Sequence, residues 1–156
     1  MALHFSKEEF SERKLNVLKS MRDQHLDALL MFRQESMYWL TGYDTFGYVF
    51  FQTLILDQKG NVILLTRAPD LRQAQNTSNI EDIRIWVDKN NSNPTDDLKV
   101  ILDELNLKDK KLGVEYEAYG LTGRNALRLN QSLKDYCSST KRKMFITLLK
   151  LIEEKK

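Results

Sequence analysis

Apolar positions change their period several times along the chain, and each change marks an element. Phe10, Val17 and Met21, with Leu15 and Leu18 beside them, recur at helical spacing. Ser6 with Glu9 three residues later forms a capping box, and Phe5 and Phe10 stand at hydrophobic-staple spacing. A helix therefore starts here and ends near Asp23 to His25. Asp27 to Phe32 is a short continuous apolar run, the pattern of a strand buried on both faces. Glu35 to Leu40 predicts a short helix closed by Thr41-Gly42, where glycine is free to take a positive φ. Tyr48 to Leu56 and Asn61 to Thr66 are strand-like runs joined by the polar turn Asp57 to Gly60, which predicts an antiparallel hairpin. Pro69 and Asp70 suit the first turn of a helix with Leu71 and Ala74 as its narrow apolar face. Ile83 to Val87, carrying Trp86, alternates as a strand does.

Asn93-Pro94 places an Asn cap before a proline at the first helical position, and Leu98, Ile101, Leu102 and Leu105 follow at helical spacing. Leu112 to Tyr116 is another short strand. Thr122 caps a helix that directs Ala126, Leu127, Leu129 and Leu133 to the core. Tyr136-Cys137-Ser138 is expected as a last strand, and Phe145, Leu148, Leu149 and Ile152 predict a terminal amphipathic helix. One hairpin followed by helix–strand alternation makes this an α/β chain with a three-layer arrangement, a mixed β-sheet with helices on both faces. The expected division is a domain over 1–138 and a basic amphipathic tail over 139–156. No G-x-G-x-x-G follows a predicted strand and no P-loop motif exists, so a nucleotide would lack its phosphate cradle.

Composition narrows the classes. The 156 residues suit one domain, and 42% hydrophobic with 29% charged residues argues against disorder. Lys and Arg total 24 against 22 Asp and Glu, a net charge of +2. With Lys141-Arg142-Lys143 as the one internal basic run, this balance predicts no nucleic-acid partner. No apolar stretch reaches the ~18 residues of a membrane helix, and Met1 to Arg13 has no signal-peptide core, so no membrane association is expected. The single cysteine, Cys137, precludes an internal disulfide and suits a reducing, cytoplasmic setting.

No complete active site is legible. His4 and His25 lack partners at metal-ligand spacing, no G-x-S-x-G elbow exists, and Cys137 has no neighbouring histidine. The carboxylate pairs, such as Glu8-Glu9 and Asp96-Asp97, are adjacent residues whose side chains diverge. Two segments stand out. Thr41 to Tyr48 gathers aromatics, glycines and one carboxylate into a loop, as at a binding rim. Thr66 to Arg72 places Arg67 and Arg72 about a helix start, a setting that favours anions. Against this, the rings would fill core edges and the arginines would pair with neighbours such as Asp70. The candidate substrate contacts are Tyr43, Asp44, Phe46, Tyr48, Phe50, Arg67 and Arg72.

The same residues carry a family resemblance. Met37-Tyr-Trp-Leu-Thr-Gly-Tyr43 resembles the Y-L-[ST]-G-[YFW] signature in the amino-terminal domain of creatinase, prolidase and Xaa-Pro aminopeptidase relatives. Phe10-Ser-Glu-Arg13, Met21 and Leu26-Asp-Ala-Leu-Leu30 are similar to that domain's first helix and strand. Leu112-Gly-Val-Glu115 with Tyr119-Gly-Leu-Thr122 resembles its penultimate unit. Thr41 to Gln52, Leu64 to Ala74 and Asp82 to Asp88 look most like the ectoine hydrolase branch. The match runs from about Phe10 to Cys137; Ser138 to Lys156 matches only loosely.

The resemblance implies a mixed-sheet domain of ribonuclease H-like motif preceding a "pita-bread" metallohydrolase domain. That second domain uses two divalent metal ions held by Asp, Asp, His, Glu and Glu to cleave C–N bonds. None of these ligands falls on this chain, so no catalytic residue, metal or cofactor is expected on it. The implied role is dimerisation, as a homodimer, and capping of the partner's active site, with the metallohydrolase domain separate or missing. In the creatinase branch a Phe-Gly-Arg contacts the substrate carboxylate; Tyr48-Val49-Phe50 aligns there, which weighs against creatine and leaves Arg67 or Arg72 as the carboxylate fork. A free-standing module that binds peptides or a protein partner is the alternative; an enzyme complete in these residues lacks any catalytic set.

Overall fold

The computed structural model describes residues 3–141. Helix α1 spans Lys7–Asp23, and the Ser6 hydroxyl accepts from the Glu9 amide at 3.1 Å. Only that half of the capping box forms, because the Glu9 carboxylate turns to Arg13 instead. Phe5 and Phe10 meet edge-to-face at 5.7 Å, completing the staple. Phe10, Val17, Leu18 and Met21 are buried, whereas Leu15 points to solvent.

Strand β1 covers Ala28–Met31 and helix α2 Gln34–Thr41, ended by Gly42 at φ 81°. The hairpin comprises β2, Thr53–Asp57, and β3, Val62–Arg67. The predicted first strand thus starts five residues late, because Phe46–Val49 forms a 3-10 turn. Gly47 and Gly120 account for this. A Cβ on Gly47 would overlap the Asp70 carboxylate, and one on Gly120 the Phe50 carbonyl, so two close approaches fold the segment away from the sheet.

Helix α3, Leu71–Thr77, follows a 3-10 turn over Ala68–Asp70; β4 is Asp82–Trp86, α4 Pro94–Glu104, β5 Lys111–Val114 and α5 Gly123–Leu133. Asn93 and Thr122 cap α4 and α5 as their positions predict. Leu129 and Leu133 are buried, but Leu127 lies on the solvent side of α5. The last strand, β6, is Ser139–Lys141, three residues beyond the expected Tyr136–Ser138 and past the 138 boundary. The helix predicted over Phe145 to Ile152 lies outside the described residues.

The sheet order is β4-β3-β2-β1-β5-β6. Among the described strands only β2 runs antiparallel to its neighbours; β1, β5 and β6 are mutually parallel, as are β3 and β4. Alternate strand residues feed two cores. Leu29, Met31, Leu54, Leu56 and Leu64 pack under α1, α2 and α3. Leu30, Ile55, Leu65, Leu112 and Val114 pack under α4 and α5. The expected three-layer α/β architecture is the one observed. At the outer rim β4 carries Arg84, which pairs with Asp82 and Glu104 on its own flank.

Candidate functional site

Five strands present their carboxyl ends at the same end of the sheet, joined there by the amino end of β2. Open α/β sheets place ligand sites outside such ends. The two segments singled out by sequence meet here, with the loop that follows β5.

Glu115 anchors the floor. It follows β5, is fully buried, and its Oε2 accepts the Phe32 and Arg33 amides at 3.1 and 3.2 Å while Oε1 accepts the Ser36 hydroxyl at 2.7 Å. It therefore fixes the start of α2 against the ends of β1 and β5. Burial raises its pKa above the ordinary 4.5; the Ser36 hydroxyl and the Arg33 and Phe32 amides oppose this without cancelling it.

Tyr43 is wholly inside, donating through Oη to Gln52 Oε1 at 2.7 Å, while its carbonyl accepts from Gln34 Nε2 at 2.8 Å. Desolvation pushes its phenol up to about 12. Asp44 is exposed, and its amide is held by Thr77 Oγ1 at 3.0 Å. Asp70 is buried and bridges the two segments: Oδ1 accepts from Thr45 Oγ1 at 2.8 Å, and Oδ2 accepts from Arg67. The Arg67 guanidinium lies 3.4 Å over the Phe50 ring, a desolvated cation–π contact. Its remaining nitrogen, Nη1, is 3.9 Å from Asp88. Arg67 is thus held by neighbours on every side, and Arg72, exposed on α3, does not join it.

What faces outward is an aromatic ridge. Phe46 is 89% exposed and Tyr119 77%, with Tyr48, Val49 and Phe50 each between 42% and 45%. Tyr48 and Tyr119 stack edge-to-face at 5.7 Å across a cleft of about 280 Å³ that Glu35 and Glu117 also line. Tyr119 and Glu115 belong to this end of the sheet, and single-residue reasoning passed them over. The signal was a carboxylate ending an apolar strand, followed by an aromatic beside glycine.

No group of three or more His, Cys, Asp or Glu among the described residues is placed to hold a metal ion. His4 instead bonds the Tyr38 hydroxyl at 2.5 Å. The Cys137 thiol donates to the Leu133 carbonyl at 3.3 Å, and burial pushes its pKa up, which disfavours the thiolate.

The sequence pattern of the creatinase/prolidase N-terminal domain matches residues 13–145. The chain belongs to that family. It is 30% identical over 138 residues to a protein described as an uncharacterized hydrolase/peptidase, y4tM, of Sinorhizobium fredii, covering 84% of this chain and 35% of that one. It is 29% identical over 91 residues to the ectoine hydrolase of Halomonas elongata, covering 58% of this chain and 21% of that one. The chain thus spans about a third or less of these curated relatives. An Xaa-Pro aminopeptidase structure from Streptococcus pyogenes shares the fold with a TM-score of 0.69 at 17% identity, covering 92% of this chain and 99% of that one. Among the described residues no helix is long and apolar enough to cross a membrane.

Proposed function

We propose that this chain is the non-catalytic amino-terminal domain of a creatinase, Xaa-Pro dipeptidase or ectoine hydrolase-like metallohydrolase, contributing to a homodimer and capping the partner's active site. The hydrolytic metals, two divalent ions, belong to a separate metallohydrolase domain in this reading. The observation that carries it is the exposed ridge of Phe46, Tyr48, Phe50 and Tyr119 at the carboxyl end of the sheet. Apolar surface of this kind is stabilised by burial at ~25 cal/mol per Å². Asp70 ties the loop that carries the ridge to the turn after β3 through Thr45 and Arg67, and Arg67 backs the Phe50 ring, which lowers the ordering cost of docking that part of the surface.

In this role Phe46, Tyr48 and Phe50 touch substrate or the partner subunit, Arg67 supports Phe50 from behind, and Tyr43 sets the loop from within. The half-buried lone Cys137 suits a cytoplasmic home. Sedimentation over a wide concentration range should show a monomer–dimer equilibrium that Phe46→Ser weakens. A strict monomer at the highest concentration refutes the dimer. Calorimetric titration with Mn²⁺ should show no tight site on the chain, and a micromolar one- or two-metal site refutes the non-catalytic assignment.

A further inference from the structure

Beside the ridge a second cleft, of about 600 Å³, opens between the loop after β4 and the start of α5. Three cationic side chains line it, Lys89, Arg124 and Arg128, against one carboxylate, Asp88, leaving two positive charges in excess. Among the described residues neither Lys89 nor Arg124 has a carboxylate within ion-pair distance. Arg128 donates from Nη1 to the Ser92 carbonyl at 3.1 Å, which ties the loop to α5 and fixes the guanidinium in the wall. Asp88 is partly drawn off by Arg67. Like charges gathered in a concave, partly apolar site repel one another, and a polyvalent anion removes that repulsion. Asparagine amides add donors along the rim, and the floor is Trp86, fixed through its Nε1 bond to the Phe51 carbonyl at 3.0 Å.

We propose that this cleft binds a small polyvalent oxyanion, a phosphoryl or polycarboxylate group, through Arg124, Arg128 and Lys89. Arginine forks grip two oxygens at once, and lysine supplies a mobile point charge. The excess of two positive charges suits a divalent group over a monovalent one. The proposal does not rest on the capping role, because none of the three cations belongs to the ridge.

The test is calorimetric titration of the full chain with inorganic pyrophosphate and, separately, with citrate, at fixed physiological ionic strength. One saturable site for pyrophosphate alone supports a phosphoryl ligand, for citrate alone a polycarboxylate, and for both the shared oxyanion chemistry. Arg124→Ala should weaken binding about tenfold, the loss of one charge-assisted bond. Lys19→Ala, on the far face of the molecule, should leave it unchanged. Arg128→Lys keeps the charge and loses the fork, so it should bind more weakly than wild type while melting at a similar temperature. Absence of a saturable site for either anion overturns the proposal, as does equal weakening by Lys19→Ala, which would mean diffuse charge attraction.

Discussion

Asp70 receives Arg67 through a single oxygen, Oδ2, from Nε at 3.1 Å and Nη2 at 3.0 Å. The other oxygen stays free for the Thr45 hydroxyl at 2.8 Å. One buried carboxylate thus joins the loop after α2 to the turn after β3. Asp70→Ala should lower stability to urea by about 3 kcal/mol, since it leaves a largely buried guanidinium without its one buried, hydrogen-bonded carboxylate and with only the exposed Asp88 at 3.9 Å. Asp70→Asn, which keeps an acceptor for Thr45, should cost less.

Gly47 makes the same point from the backbone. A side chain there would collide with the Asp70 carboxylate. Gly47→Ala should cost about 1–3 kcal/mol in urea unfolding, as overpacked sites do, and should lower the protection of loop amides against hydrogen exchange.

Glu115 makes stability depend on pH. Its folded pKa is raised, so the folded chain holds this proton to higher pH than the unfolded chain does. The stabilisation from the proton is full below the ordinary 4.5 and is lost as pH rises through the folded value. Comparison of wild type with Glu115→Gln by denaturant unfolding should therefore show the stability difference, wild type minus variant, falling as pH rises above about 4.5. A difference that is flat or rising overturns the assignment.

Tyr43 should ionise late in an ultraviolet absorbance titration, near 12 because its phenol is desolvated, with Tyr136, held up by burial and by Asp103, later still. Tyr43→Phe should remove that step and cost about 1 kcal/mol through the lost bond to Gln52.

Phe46→Ser combined with Tyr119→Ser separates function from folding. Both side chains are mostly solvent-exposed, so thermal stability should change by less than about 0.5 kcal/mol. Self-association measured by sedimentation should fall sharply.

Local signals made much of the fold legible. The caps at Ser6, Asn93 and Thr122, the Gly42 terminator and the hairpin turn each act within a few residues of chain, and all appear in the structure. The failures were tertiary. Tyr48 to Gln52 has strand composition, yet Gly47 against Asp70 and Gly120 against Phe50 override it. Leu15 and Leu127 satisfy helical spacing but fall on helix faces that no other described element covers. At the site, the Arg67–Asp70 pairing was readable from a three-residue separation. Glu115 was not, because its partners Phe32, Arg33 and Ser36 lie some 80 residues away. Lys89, Arg124 and Arg128 likewise become a cleft only when α5 returns to the loop after β4.

The rim of the sheet has a further consequence. Arg84 on the outermost strand is flanked by Asp82 and Glu104, so a neighbouring molecule sliding in to extend the ladder would have to strip water from three ionised groups. That penalty closes the β4 margin to strand-by-strand growth.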